Sequence, residues 1–258
     1  MSRIGKNSHF HLRDKDVEKS ENPKNDRNAD RLVELLSGYD VISFDLFDTL
    51  ITRPYDSPQE LFSVVGEQLG AVDFKKKRIE AEILAREKRF RISSGTRDSG
   101  IKRIFLRLRN KICVSVGGTQ VGDYEVTLAE IWAELSTLVG VPAKEGMRAE
   151  IEVEERLCKA IPAMQIVWNR LLAQRKRLVI LTDMYLPQEV LEQILAHNEY
   201  AGFERLMVSN TYRKSKADGS LYEELKAAYP GSKIVHVGDD PVSDVRNAKR
   251  HGTAAIRI

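Results

Sequence analysis

Hydrophobic positions along the chain follow two rhythms. Before about residue 175 they recur at helical spacing. In SPQELFSVVGEQLG, for example, Leu61, Phe62, Val65 and Leu69 share a face behind a helix-opening Ser-Pro pair. The same periodicity predicts helices over 73–92, 127–139, 145–159 and 162–175. Thr127 and Glu130 form a capping-box pattern where the 127–139 helix starts. After Arg177 the apolar residues contract into short β-branched runs, LVILT, RLMVS, KIVHVG and TAAIRI. Helical stretches near 187–198, 220–229 and 242–251 separate them. One more such run, VISFD at 41–45, stands far upstream, behind a short helix in ADRLVELLSGYD. Strand and helix alternating in this way predict an α/β protein with a Rossmann-like, doubly wound parallel sheet.

Residues 1–28 break the pattern. They are polar, charged and almost free of aliphatic side chains, too poor in apolar surface to offset the entropy of ordering. A disordered tail or linker is expected there, with His9 and His11 in solvent, because no acid or cysteine pattern accompanies them. Ordered structure is expected from about Ala29.

Composition narrows the function classes. With 41 basic and 38 acidic residues the net charge is only +3, which argues against a nucleic-acid binder. Cys113 and Cys158 make neither a metal spacing nor a disulfide framework, so a reducing cytoplasm is the expected location. No apolar run approaches the ~20 residues of a membrane span, and the polar start does not read as a secretory signal.

Chemistry in an open parallel sheet gathers outside the carboxyl ends of its strands. The first strand ends in SFDLFDTL, delivering Asp45 and Asp48. LVILTDMY delivers Thr182 and Asp183, and IVHVGDDPVSD delivers Asp239, Asp240 and, within the next turn, Asp244. RKSKADGSLY supplies Lys214 and Lys216 just before a helix. Any one acid at a strand end has an ordinary explanation as the cap of the following helix. A cluster of carboxylates repels itself unless a cation or a lysine neutralises it, and oxygen-only ligation suits Mg²⁺.

Taken in order, these segments resemble the four motifs of the haloacid dehalogenase (HAD) superfamily. FDLFDTL looks like the first, with Asp45 in the nucleophile position; LVILTD like the second, with Thr182 as the phosphate-binding hydroxyl. KADGSLY aligns with the third and places its lysine at Lys216 rather than Lys214, and VGDDPVSD looks like the fourth, with Asp239 and Asp244 as metal-binding acids. The resemblance spans about 40–258. FDLFDTL, TDMYLP and KADGSLY together look like a narrower bacterial group whose domains are often found with glycosyltransferases and surface-polysaccharide genes.

The resemblance implies a covalent mechanism. Asp45 attacks a substrate phosphorus to give an aspartyl-phosphate, and Mg²⁺ held by Asp45, Asp239, Asp244 and the backbone carbonyl of Phe47 stabilises the transferring group. Thr182 and Lys216 bind the remaining phosphoryl oxygens, with Asp183 a further candidate at the phosphate. The expected substrate is a small phosphorylated metabolite such as a sugar phosphate of surface-glycan synthesis. One position departs from the pattern. In the family's commonest phosphatases the residue two after the nucleophile is a second aspartate, the general acid/base; here it is Phe47. Its side chain moves no proton, a deficit worth ~10²–10⁴-fold unless Asp48 or Asp183 substitutes. A catalytically weakened domain that binds a phosphorylated ligand or partner is therefore the alternative function. The superfamily's metal-free 2-haloacid dehalogenases also carry aromatic residues here, but two motif-four acids make better sense around a cation.

Asp45 and Thr182 are 137 positions apart, and Thr182 and Asp239 only 57, so a lid fits only in the first gap. The expected domains are thus a core of 29–55 and 163–258 with a helical cap at 56–162 inserted between the first and second motifs. Within the cap, Arg97, Lys102, Arg103, Arg107, Arg109 and Lys111 crowd the stretch 97–111 among apolar neighbours. That is either a solvated basic helix face or a docking surface for an anionic ligand, a glycosyltransferase or another protein partner. Tyr185 is placed to line the cleft, and Trp168 is expected in the core.

Overall fold

The computed structural model describes residues 23–94 and 124–258. The chain order among them is α1 (Pro23–Leu36), β1 (Val41–Phe44), β2 (Ile51–Thr52), α2 (Leu61–Leu69), α3 (Phe74–Ser94), α4 (Leu128–Val139), α5 (Ala143–Leu157) and β3 (Lys159–Ala160). There follow α6 (Pro162–Ala173), β4 (Arg177–Thr182), α7 (Gln188–His197), β5 (Arg205–Val208), α8 (Ser209–Tyr212), α9 (Ser220–Ala228), β6 (Ile234–Gly238) and β7 (Ala254–Arg257). The basic stretch 97–111, Cys113, His9 and His11 lie outside the described residues. No helix among those described is long and apolar enough to cross a membrane.

Five strands form one parallel sheet in the order β5-β4-β1-β6-β7, the doubly wound arrangement expected from the alternation of strand and helix. The upstream run VISF takes the centre. Its two faces are both dry. Ile42 and Phe44 join Leu178, Ile180 and Trp168 in one core, whereas Val41 joins Val179, Leu181 and Leu225 in the other. A parallel strand covered on both faces has no reason to alternate polar and apolar residues, which is why these runs are continuous. Register does the functional work: Phe44 pairs with Ile180 on one side and Val237 on the other, so all three strands end at the same edge. Trp168 is buried as expected, its indole N–H donating to the Ala201 carbonyl at 2.9 Å.

Helices α2 to α5 leave and rejoin this core through a two-residue antiparallel ribbon of β2 with β3, which the sequence pattern did not reveal. The Thr127 capping box is present, with the Glu130 amide donating to the Thr127 hydroxyl at 3.2 Å and the Thr127 amide to the Glu130 carboxylate at 2.7 Å. Arg78 on α3 is fully buried and grips Glu150 on α5 at 2.8 Å, while Trp132 on α4 donates to the same carboxylate at 2.8 Å. Such a pair is costly to desolvate and costlier to break, so it ties the three helices into one register.

Two boundaries differ from expectation. Helix α1 runs from Pro23, upstream of Ala29, and Asp26 and Asp30 reach Arg170 on α6 at 2.9 and 2.7 Å and seat its first turns. The helix expected at 242–251 opens as a π-helical turn over Pro241–Asn247, followed by a short α-helical turn at Ala248–Arg250. Asp240 caps it by accepting from the Val242 and Ser243 amides at 2.8 and 2.6 Å.

Candidate active site

Asp45 is the first residue beyond β1. Its amide donates to the Val237 carbonyl at 2.9 Å, and the residue is 8% exposed. Because β1, β4 and β6 end together, Thr182 and Asp239 emerge beside it. Asp244 returns from the π-helical turn, fully buried. One oxygen from each of Asp45, Asp239 and Asp244 lies within 4.8 Å of the others. Into this group reaches Lys216, 3% exposed, with Nζ 2.6 Å from Asp45 Oδ1 and 2.6 Å from Asp244 Oδ1. The choice between the two lysines is settled by geometry, since Lys214 pairs instead with Glu224 outside the site.

The loop carrying Lys216 is held from two sides. Both Asp183 oxygens accept backbone amides, from Lys216 at 2.8 Å and Ala217 at 3.1 Å. The Asn247 side chain donates to the carbonyls of Lys216 and Ala217 at 3.1 and 2.6 Å. Asp183 is thus a clamp on the lysine loop. Asp240, besides capping the π-helical turn, donates its amide to Asp244 Oδ2 at 3.0 Å. Backbone proximity completes the fit: a Cβ on Gly238 would stand 2.4 Å from Asp244 Oδ2, so only glycine admits the carboxylate there.

Charge balance follows from this packing. Burial pushes the Lys216 ammonium down, but Asp244 and Asp45 outweigh it and keep the group charged. Burial also raises Asp244, and there Lys216 and His236 more than compensate, holding it well below the usual carboxylate range. Asp45 is pushed up, chiefly by burial and with help from Asp244 and Asp239, against the pull of Lys216. Asp239 rises to about 6 through burial and the neighbouring Asp244 and Asp48 carboxylates. Asp183 rises to about 7, driven by burial and by Glu125. Three carboxylates against one lysine leave an excess of negative charge aimed at one point. An all-oxygen donor set of this kind fits a hard divalent cation.

Phe47 and Asp48 behave differently from one another. Asp48 sits in the left-handed region (φ 57°), donates its amide to the Ile51 carbonyl at 2.7 Å and leaves its carboxylate exposed toward Thr52. The Phe47 ring instead carries the Arg53 guanidinium 3.9 Å above its centroid, and Arg53 in turn grips Glu154 of α5 at 2.8 and 2.9 Å. Tyr185 is half-buried beneath Arg78, with the guanidinium 4.7 Å from its ring centroid. Sequence reasoning missed Arg53, Asn247, Glu125 and His236. Only His236 left a signal, as a lone imidazole inside an otherwise apolar strand.

No family model matches the sequence, and no curated protein matches it. Solved structures do. A HAD-family enzyme of Bacteroides thetaiotaomicron superposes with a TM-score of 0.53 at 12% identity, over 85% of this chain and 93% of that one. An aspartate-to-alanine variant of that enzyme, in complex with magnesium and inorganic phosphate, gives 0.52 at 13% identity, over 85% and 94%. A 2-haloacid dehalogenase from Pseudomonas syringae pv. Tomato DC3000 gives 0.52 at 18% identity, over 85% and 86%. At this identity the likeness establishes the fold: the chain has the α/β fold common to HAD hydrolases and dehalogenases.

Proposed function

We propose that the chain is a member of the HAD superfamily and acts as a Mg²⁺-dependent phosphohydrolase or phosphotransferase on a small phosphorylated metabolite, through an aspartyl-phosphate on Asp45. The observation that carries this reading is the convergence of Asp45, Asp239 and Asp244 within 4.8 Å around a buried lysine. Asp45, Asp239, Asp244 and the Phe47 carbonyl would hold the cation, whose charge, when bound, neutralises the oxygens of the transferring group. A carboxylate oxygen of Asp45 forms the bond to phosphorus as the substrate's ester oxygen leaves with its electron pair. Lys216 and the Thr182 hydroxyl orient the remaining phosphoryl oxygens, and Asp183 keeps Lys216 in place through two backbone amides. Water then releases phosphate and restores the carboxylate. Helices α2 to α5 serve as the cap that selects the leaving group, for which the resemblance to polysaccharide-associated domains suggests a sugar.

Structures similar to this one include a dehalogenase, whose named substrate class is a haloacid. Three carboxylates would burden a metal-free site that binds an anionic carboxylate, whereas around a divalent cation they fit a phosphoryl group, which supports phosphoryl chemistry here. A second reading, a weakened domain that binds a phosphorylated ligand without efficient turnover, draws support from one arrangement. Asp48 is exposed and both Asp183 oxygens accept backbone amides, an arrangement that counts against either as the replacement for the acid missing at Phe47.

Phosphate release from a panel of sugar phosphates and from 4-nitrophenyl phosphate, with Mg²⁺ or EDTA, tests both. Turnover lost in Asp45→Asn and in EDTA is the expected result. Turnover that survives Asp45→Asn refutes the covalent mechanism, and tight binding of phosphate esters without turnover selects the second reading.

A further inference from the structure

His236 lies inside β6 behind the carboxylate cluster, with no solvent exposure. Its Nε2 is 3.3 Å from Asp244 Oδ1, its Nδ1 is 2.8 Å from the Ser43 hydroxyl, and the Tyr222 ring packs edge-on against it with centroids 5.3 Å apart. A histidine in a dry central strand needs partners for both nitrogens, and both partners point the same way. Ionised Asp244 only accepts, so Nε2 carries the proton and donates. With the ring neutral, Nδ1 is left to accept from the Ser43 hydroxyl, whose other neighbour, the Val235 carbonyl, is farther away at 3.4 Å. Ser43 belongs to β1, two residues before Asp45, so the hydrogen-bond chain joins the strand of the nucleophile to Asp244.

Asp244 is otherwise fixed through Lys216 at 2.6 Å and the Asp240 amide at 3.0 Å, and Lys216 is shared with Asp45. A substrate phosphoryl group competes for that lysine. The side-chain donor to Asp244 that no substrate can divert is His236, shielded behind the sheet edge. We propose that His236 is a positioning residue that holds Asp244 in its cation-binding orientation, with Ser43 fixing the imidazole. This inference rests on the magnesium-dependent reading above and assigns to that site a residue outside its donor set.

Outer partners of metal-ligating carboxylates are worth roughly 10–100-fold in metal affinity. The test compares two amides that differ in reach. In His236→Gln the terminal N–H₂ extends about as far as the ring Nε2 and keeps the bond to Asp244. In His236→Asn it stops near the level of Nδ1 and loses it. Magnesium binding to the full-length chain is measured by isothermal titration calorimetry, and melting in EDTA checks that each variant is folded. The expected result is a Kd weakened at least about tenfold in His236→Asn and within about threefold of wild type in His236→Gln, with Ser43→Ala in between. Equal magnesium affinity in the Asn and Gln variants, or wild-type affinity in Asn, overturns the proposal even if both melt at lower temperature, because that pattern marks a merely structural histidine. A wild-type chain that binds no magnesium overturns the underlying reading and this inference with it.

Discussion

Replacing Lys216 by methionine keeps the length of the side chain and removes its charge. In the native arrangement Nζ lies 2.6 Å from both Asp45 and Asp244, and the residue is 3% exposed, so water cannot take its place cheaply. Removing one partner from a buried charged group typically costs about 3–5 kcal/mol, because the remaining charge is left uncompensated. For a chain of 258 residues, each kcal/mol moves the melting temperature by roughly 2–4 °C, so Lys216→Met is expected to melt roughly 6–20 °C below wild type in EDTA. The deficit has a definite pH dependence. Asp45 already has its pKa raised by burial, and loss of the lysine raises it further. A carboxylate whose folded pKa lies above its unfolded value contributes stability that is present at low pH and lost as pH rises through the folded value. The gap between variant and wild type therefore widens as pH rises. A divalent cation supplies the missing charge, so saturating magnesium raises the melting temperature of the variant more than that of wild type. Differential scanning fluorimetry at three pH values, with EDTA or magnesium, reads all of this. Coincident melting in EDTA at pH 8, or a deficit independent of pH, would refute the view of Lys216 as the counter-ion of the cluster.

Two more expectations follow from the site. Asp239, pushed up to about 6, costs the metal-free protein stability as pH climbs through that value, so urea melts in EDTA lose less between pH 5 and 7.5 for Asp239→Asn than for wild type, by on the order of 1 kcal/mol; parallel slopes would show that the group titrates normally. In the proposed reaction, a leaving group that no acid protonates must carry its own charge. The kcat for 4-nitrophenyl phosphate should then exceed that for alkyl sugar phosphates by about 10²-fold or more, and equal values would mean that some group supplies the proton.

Much of the site was legible because a parallel sheet converts chain position into spatial position. Once VISF, LVILT and IVHVG are strands of one doubly wound sheet, their carboxyl ends share an edge, and Asp45, Thr182 and Asp239 meet there whatever the loops do. Asp244 and Lys216 needed the resemblance, since a turn and a loop place them. What escaped notice depends on partners remote in sequence. Pro23 starts a helix only because Arg170, more than 140 residues away, pairs with Asp26 and Asp30. PVSDVRN reads locally as an α-helical start, and its π turn follows from an Asp240 cap together with an Asp244 drawn to Lys216. A ribbon two residues long on each side is too short to leave any period. His236 looks like a strand residue until Ser43, 193 positions earlier, is placed beside it.

Phe47 is where a residue's local and tertiary roles diverge most. Read as chemistry, it is a loss, because a phenyl ring stands where the phosphatases that the sequence resembles carry a proton donor. Read as packing, it is a platform. Its ring supports Arg53, whose guanidinium makes a two-point grip on Glu154 with both side chains almost wholly buried. Glu154 lies one helical turn from Glu150, the acceptor of Arg78 and Trp132, so the loop after Asp45 is tied through one planar cation to the helices above it. An aspartate at this position would sit beneath that same cation and be drawn into its ion pair. Arg53 would hold the new carboxylate ionised, and an acid that does not keep its proton gives none to a leaving group. The aromatic ring and the buried arginine are therefore one device, and restoring the acid requires changing both.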